Sequence, residues 1–399
     1  VEPAVYAIAT LDTKSDELAF VAECLRNSGV TVKAVDVGTE GPSGFPPDVT
    51  RDEVLNGIQL QHEGDRGRAV TQMGAALADY LVNKDEEGRV AGVIGIGGSG
   101  GTALITTALR RLPIGLPKLM VSTVASGDTS RYVDCSDIMM MYSVVDIAGL
   151  NVVSEKVLSN AAHAMAGMVS HKLPARDVRP CLGLTMFGVT TPCVTAARQL
   201  LEAEGYDCLV FHATGTGGRA MEKLVDSGMI CGVLDLTTTE VADEIAGGIF
   251  PAGDSRFDIL IERQVPLVLS LGAVDMVNFG PLDSVPARYR ERNLHVHNPQ
   301  ITLMRTTPDE NRQIARWIAN KLNKSASPFT ILIPEGGVSM LDAPGQPFHD
   351  PEADAALFTE LEASVDQTEQ RRIVRLPYHI NDQEFSQAAV AEFLSLVRD

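Results

Sequence analysis

Residues 90–102, VAGVIGIGGSGGT, run from an apolar segment into four glycines within five positions (Gly97, Gly98, Gly100 and Gly101) and on into ALITTALR at 103–110. That order predicts a buried strand turning through a glycine-rich loop into a helix. A helix start presents unpaired backbone N–H groups at the positive end of the helix dipole, where a phosphate binds. Glycine removes the side chains that would hold an anion off the backbone. Thr102 adds a hydroxyl that either caps the helix or touches a magnesium ion. No lysine follows the glycines, so the loop is not a Walker A motif. The alternative is a plain strand-to-helix turn; four glycines together with Ser99 and Thr102 favour an anion cradle.

Working outward, residues 5–41 lie without a gap on residues 181–217, each with a strand, a polar loop, an amphipathic helix, a glycine stop (Gly29; Gly205) and a second apolar strand. Leu18, Val21, Ala22 and Leu25 form one helical stripe, and Val194, Ala197, Leu200 and Leu201 the other. GVIGIG at 92–97 pairs in turn with GVLDLT at 232–237, and PKLMVSTV at 117–124 with PLVLSLGA at 266–273. Strands alternating with helices imply parallel sheets with right-handed crossovers. The expected fold class is therefore α/β: two Rossmann-like, doubly wound, mostly parallel domains related by an internal repeat. The boundary is expected in KLPARDVRP at 172–180, giving a nucleotide-binding domain at 1–175 and a substrate or partner domain at 176–399. Pro42–Val70 reads as a lid or an interface arm, and Asn278–Thr307 as an irregular stretch long enough to suggest function.

Composition narrows the function. A length of 399 residues suits two domains, and 45% hydrophobic with 21% charged residues is ordinary for a protein with sizeable cores. A net charge of −19 opposes nucleic-acid or anionic-membrane binding, so an anionic ligand needs local dipoles, metal ions and a few cations. No run has the length of a transmembrane helix or the pattern of a signal peptide. Six cysteines without CxxC spacing read as reduced and packed, so the expected location is cytoplasmic.

In doubly wound sheets ligands bind beyond the carboxyl ends of the strands. In the first half that places Asp12, Thr13 and Lys14, then Asp36, then Gly97 to Thr102, then Ser122, Thr123 and Ser126 around one site. Lys14 either neutralises a phosphate or is solvated, and Asp12 either holds a metal ion or hydroxyl or caps a helix. Asp36 ends a second strand as a ribose-binding acid does, but the first loop lacks GxGxxG, so a classical NAD site is not expected. In the second half Asp235, Glu240 and Asp243 follow one apolar strand, and Asp275 and Asn278 the next. His212 ends a strand, and His379 and Asp382 share a later loop. Were these ends to converge, histidine and carboxylate would form a general acid/base pair with Asn278 orienting a carbonyl or hydroxyl; capping or loop hydrogen bonding is the other reading. TGTGG at 214–218, followed by Arg219, repeats the helix-start anion logic. His295 and His297 lack partners at an established ligand spacing, and no residue is assigned as a metal ligand. Cys193 is either a helix-start nucleophile or, more in keeping with its type, an inert core thiol.

ATLDTKSDEL (9–18), GVIGIGGSGGT (92–102), STVASG (122–127), MFGVTTPC (186–193), FHATG (211–215), TTTEVAD (237–243), DMVNFG (275–280) and PYHIND (377–382) closely resemble the ATP-binding domain family of the tomato tobamovirus-resistance protein and its microbial homologues. The resemblance spans essentially the whole chain. It implies two Rossmann-like subdomains, binding of ATP with magnesium, and dimerisation through the ATP-binding domains. The plant members' antiviral role is not carried over. The glycine loop also looks like a distant echo of a GGDGT kinase loop, but Ser99 replaces the metal-organising Asp. The leading expectation is thus an ATP-binding homodimer whose second domain presents His212, Asp275, Asn278, His379 and Asp382 as catalytic groups to a small metabolite across an interdomain cleft. ATP-dependent chemistry on a carboxylate or hydroxyl is its enzyme version. The alternatives are an ATP-regulated dimeric interaction module without turnover, and a nucleotide-independent hydrolase or lyase using Cys193 or His379.

Overall fold

Short apolar runs buried on both faces become parallel strands, and the amphipathic stripes between them become the helices that cover those faces. The computed structural model describes residues 2–60, 66–171 and 178–398. The chain divides into two units, Val1–Arg176 and Asp177–Asp399. The expected 175/176 boundary itself lies outside the described residues.

Unit 1 contains β1 (Ala4–Ala9), α1 (Ser15–Asn27), β2 (Val32–Asp36), α2 (Arg51–Leu55), α3 (Arg66–Glu86), β3 (Val90–Gly97), α4 (Ser99–Leu109), β4 (Lys118–Ser122), α5 (Ser130–Val133), β5 (Met139–Tyr142) and α6 (Val152–Ser170). Its sheet is parallel in the order β2-β1-β3-β4-β5. Leu18, Val21, Ala22 and Leu25 of α1 pack with Leu158 and Met165 of α6 on one face. Met73 and Leu77 of α3 pack with Leu104 and Ile105 of α4 on the other. Full burial of each of these Leu, Ile, Val and Met side chains contributes about 1.5–3 kcal/mol.

Unit 2 contains β6 (Cys181–Met186), α7 (Thr191–Ala203), β7 (Asp207–His212), α8 (Thr216–Asp226), β8 (Gly232–Thr237), α9 (Thr239–Ala246), α10 (Asp258–Glu262), β9 (Leu267–Gly272), β10 (Met276–Phe279), β11 (Leu294–Asn298), β12 (Ile301–Arg305), α11 (Pro308–Leu322), β13 (Phe329–Pro334), α12 (Pro351–Ser364), β14 (Arg371–Leu376) and α13 (Gln383–Arg398). Its main sheet runs β14-β13-β9-β8-β6-β7, all parallel. Counting only the strands of each main sheet in chain order, both sheets therefore share the order 2-1-3-4-5, with a sixth strand added in unit 2. This is a doubly wound order, of the flavodoxin-like rather than the 3-2-1-4-5-6 kind.

The stretch Asn278–Thr307 is irregular only in its first half, where 280–293 forms loops and short 3-10 turns, and not throughout as its Pro, Arg and His content had suggested. It supplies β11 and β12, which pair antiparallel in a small sheet of order β10-β12-β11. The Pro42–Val70 excursion begins as a loop tied down by a bridge between Val35 and Val49, passes through α2 and ends in the first turn of α3; residues 61–65 lie outside the described residues. No helix among the described residues is long and apolar enough to cross a membrane.

Candidate functional site

Strand order reverses in unit 1 between β1 and β3, so the loops leaving these strands diverge to opposite faces and a crevice opens between them. A cleft of about 540 Å³ lies there. The β1–α1 loop forms one wall with Thr10, Asp12, Thr13 and Lys14, Thr39 follows β2, and Gly98, Ser99, Gly100, Gly101 and Leu104 of the β3–α4 junction form the opposite wall. Gly67 and Val70 from the first turn of α3 complete it.

The α4 start is open. Gly98 is the N-cap in an extended conformation, without a side-chain cap. Thr102 N donates to Gly98 O, while the amides of Ser99, Gly100 and Gly101 have no acceptor among the described residues. None of the four glycines has positive φ, so conformational freedom is not what they provide. Gly97 is needed for packing: a Cβ there would lie 2.9 Å from the Gly101 carbonyl carbon. The others are not. A Cβ on Gly100 would meet nothing within 4 Å, and on Gly98 or Gly101 only single atoms at 3.8 Å. Glycines inside a helix cost about 1 kcal/mol each relative to alanine, so two in this first turn keep backbone amides accessible at the expense of helix stability.

Around this turn the expected residues separate into those facing the cleft and those beneath it. Lys14 is the N-cap of α1, and its ammonium has no carboxylate partner among the described residues. Asp12 faces the cleft while its Oδ2 accepts from Glu40 N at 3.0 Å, which ties the loop after β2 to the loop after β1. The Thr13 hydroxyl is 2.9 Å from that of Thr10. Asp36, by contrast, is internal. Its Oδ1 accepts from Leu11 N (3.1 Å) and Gly38 N (2.7 Å), and its Oδ2 from Ser43 Oγ and from Arg51 Nε (3.2 Å) and Nη2 (3.0 Å). A carboxylate has about four lone-pair sites, so Asp36 is saturated and shapes the loops instead of meeting a ribose. Thr102 and Ser122 are also internal: their hydroxyls lie 2.6 Å apart and pin α4 to β4, so Thr102 neither caps the helix nor points at a metal ion. Thr123 faces Gly98, and Ser126 is exposed in the turn after β4.

The second glycine-rich helix start, Thr214–Gly218, is closed. The buried Glu240 places Oε1 2.7 Å from Gly215 N and 3.1 Å from Gly218 N, and its Oε2 3.1 Å from Arg256 Nε. Here the glycines are demanded by packing, since a Cβ on Gly217 or Gly218 would collide with His212 O or with Glu240 and Arg256. Arg256 also pairs with Glu222 and Asp235, each at 2.5 Å. Burial works against its charge, but the three carboxylates outweigh burial and raise its pKa. The expected external anion site at Thr214–Arg219 is thus filled from within.

Of the five expected catalytic groups, three are linked: Asp275 and His379 through Ser339, and Asp382 to His379 directly. Ser339 Oγ donates to Asp275 Oδ2 (2.7 Å), and Ser339 O lies 2.8 Å from His379 Nε2. His379 Nδ1 accepts from Asn381 N (3.0 Å), which makes Nε2 the protonated nitrogen, and Asp382 Oδ2 accepts from His379 N (2.8 Å). Asp275 is fully buried, which pushes its carboxyl up to about 7, with Arg305 opposing and Asp342 adding to the rise. Asn278 belongs to a different cluster, donating through N (2.7 Å) and Nδ2 (3.1 Å) to Asp243 Oδ1. His212 stands at the end of the opposite edge strand with its ring 5.2 Å from that of Phe187. The five residues therefore do not converge as expected, because β7 and β14 are the two edges of the sheet. Burial also pushes the Cys193 thiol up to about 12, against a nucleophilic role. His295 packs edge-on against Phe348 at 6.1 Å. Among the described residues no group of three or more His, Cys, Asp or Glu is arranged to hold a metal ion.

Gly67 and Val70 were not singled out as site residues, though both lie at the end of the Pro42–Val70 stretch read as a lid or an interface arm. Thr10 and Thr39 lie in the loops expected to form the site.

Two family descriptions match: "Uncharacterised protein family (UPF0261) N-terminal domain" over residues 3–174, and the corresponding C-terminal domain over 179–397. A UPF0261 protein of Rhizobium meliloti (strain 1021) is 52% identical over 398 residues, covering 98% of either chain. The ToMV resistance protein Tm-1(GCR237) of Solanum lycopersicum is 48% identical over 422 residues, which take in 99% of this chain and 56% of the tomato protein. Among solved structures, a thioesterase domain from the curacin biosynthetic pathway aligns at 11% identity and a TM-score of 0.28 over 54% of this chain and 91% of that one, too weak a likeness to carry an argument.

Proposed function

This chain belongs to the uncharacterised protein family UPF0261, and from that premise we propose that it binds ATP with magnesium in the unit 1 cleft, as a cytoplasmic homodimer, and acts on or senses a small metabolite held by unit 2. The observation that carries the reading is the open α4 start: amides at Ser99, Gly100 and Gly101 without an acceptor among the described residues, at or next to glycines that packing does not demand. The residues fit the group. Phosphate oxygens would accept from those amides and from Lys14, whose charge offsets part of theirs. Magnesium keeps several waters and is commonly held by one or two carboxylates plus the phosphates themselves, and Asp12 is a carboxylate on the cleft wall. ATP, when bound, supplies a transferable phosphoryl or adenylyl group. Asp36, with Arg51 and Ser43, holds the loops after β1 and β2 in place around it. In unit 2 the buried Asp275, whose carboxyl burial pushes up to about 7, is joined through Ser339 to His379 and is the candidate acid/base group. The shared strand order of the two units supports an internal repeat.

The test is calorimetric titration of magnesium–ATP into the wild type and into Gly98→Val/Gly100→Val. A folded double variant with unchanged affinity overturns the placement. A second reading, an ATP-regulated interaction module without turnover, is favoured by exposed apolar residues at the edge strand β5 and just beyond it: Met139, Tyr142 and Val144, the last held at φ 67°. ATP consumed on addition of a metabolite selects the enzyme; ATP bound intact with a change in oligomeric state selects the module.

A further inference from the structure

The main sheet of unit 2 begins with two cysteines side by side, although they are 50 residues apart in the chain. Cys181 opens β6, and Cys231 directly precedes β8, the parallel strand beside it. Leu182 pairs with Gly232, so Cys181 and Cys231 occupy the pair of positions just before. Cys231 N donates to Cys181 O at 2.9 Å, and Cys231 Sγ to the same oxygen at 3.3 Å. Side chains alternate faces along a strand. A Cβ on Gly232 would meet Phe393 and Leu182 on one face, whereas a Cβ on Gly183 would meet Met221 and Ile230 on the other. Cys231 and Cys181 therefore both project on the Met221 side, and Cys181 packs against that core. Cys208 of β7 pairs with Leu182 instead and packs against the opposite core. Neighbouring strands lie about 4.7–4.9 Å apart, within the span of about 4.4–6.8 Å over which a disulfide joins two Cα atoms.

We propose that Cys181 and Cys231 form a redox modification site, a dithiol that a small-molecule disulfide oxidises to a staple between β6 and β8. Cys231 is exposed and Cys181 partly buried, which sets the order of the steps. The Cys231 thiolate attacks a disulfide such as oxidised glutathione, forms a mixed disulfide and releases one reduced glutathione. The Cys181 thiolate then attacks Cys231 Sγ and expels the second. Two protein thiols are oxidised, one disulfide is reduced to two thiols, and the two protein protons end on those thiols. Burial pushes both cysteines above their usual range, and the Asp207 carboxylate adds to the rise at Cys181. At neutral pH the pair is therefore mainly protonated and yields only to sustained oxidant, since the thiolate is the nucleophile. The staple closes the amino ends of parallel strands, whereas Asp275, Ser339 and His379 lie beyond the carboxyl ends of theirs. It acts on the stability of unit 2 from the edge of the sheet away from the candidate acid/base group.

The test oxidises the full chain with excess oxidised glutathione at about pH 8.5, where free thiols ionise. Remaining thiols are then alkylated and the peptides mapped by mass spectrometry. The expected product is a Cys181–Cys231 cross-link that dithiothreitol reverses. The cross-link closes a loop of about 50 residues in the unfolded chain, so unit 2, followed by Trp317 fluorescence, is expected to melt about 5 °C or more above the reduced protein. Cys181→Ser is expected to stop with one glutathione on Cys231 and to show no such rise. A wild type that also stops at the mixed disulfide, or that joins Cys181 to Cys208, overturns the proposal. A cross-linked protein that melts no higher than the reduced one overturns it as well.

Discussion

Raising the pH from 5 to 7 is expected to weaken unit 2, and Asp354→Asn to remove much of that loss. Asp354 of α12 lies 2.6 Å from Arg305 Nη2, and Asp342 and Asp275 share the same guanidinium neighbourhood. Burial pushes the Asp354 carboxyl up to about 8, with Arg305 opposing and Asp342 adding to the rise. Asp342 and Asp275 each keep one buried oxygen without a hydrogen-bond partner among the described residues, and a proton on this cluster supplies a donor where ionised carboxylates have none. In the unfolded chain aspartate titrates near 3.9. The native pKa is therefore the higher one, and the native state holds an extra proton between about pH 4 and pH 8. Stability gained from that proton is complete below the unfolded pKa and is lost as the pH rises through the native one. One proton retained over two pH units corresponds to about 3 kcal/mol. For a unit of this size that is about 6–12 °C in melting temperature. The chain has a single tryptophan, Trp317 of α11, packed 5.8 Å from Phe257 in unit 2, so its fluorescence follows that unit. Asparagine keeps the shape and an acceptor for Arg305 but does not titrate. His349, 4.0 Å from Asp342, is common to both proteins and largely cancels in the comparison. A wild type whose melting temperature is flat from pH 5 to pH 7, or an Asp354→Asn protein that declines in parallel with it, refutes the reasoning.

Other outcomes follow from the same geometry. Lys14→Ala is expected to weaken magnesium–ATP binding by about 10–100-fold in calorimetry, and a change below threefold removes Lys14 from the site. Arg51→Ala leaves the buried Asp36 without its guanidinium. Because Arg51 is partly solvated, the expected destabilisation of unit 1 is about 1–3 kcal/mol by denaturant titration, below the full cost of stranding a buried charge. Gly97→Ala drives a methyl against the α4 backbone and is expected to cost about 1–3 kcal/mol through overpacking; unchanged thermal stability contradicts the strand–helix contact. Under a thiol reagent at neutral pH, mass-spectrometric mapping is expected to find the exposed Cys231 labelled first and the buried Cys193 last, and early labelling of Cys193 reopens it as a nucleophile.

Much of the fold was legible because periodicity is a local property. The stripe from Leu18 to Leu25 and the run at 90–97 are recorded within a dozen residues of sequence, and each selects its element through the burial it makes possible. The glycine loop was legible as a helix start for the same reason. The two glycine-rich starts nevertheless read alike, and only one of them is open. What separates them is Glu240, 25 residues from Gly215, whose carboxylate reaches its amides through the folded sheet. Asp36 read as a ligand group because it ends a strand, yet its partner Leu11 is 25 residues away and Arg51 approaches from α2. Asn278–Thr307 misled because its Pro, Arg and His content resembles a loop, whereas pairing with β10 makes part of it a sheet.

The residues in order thus determined where strands and helices form and which helix starts are rich in glycine, since these depend on neighbours a few positions apart. Tertiary structure alone decided which amides stay bare, which carboxylates are saturated or left with an orphaned oxygen, and that His212 and His379 end on opposite edges of one sheet. Hydrogen bonds and burial depend on which distant groups the packing brings within about 3 Å, and that information is absent from any short window of the chain.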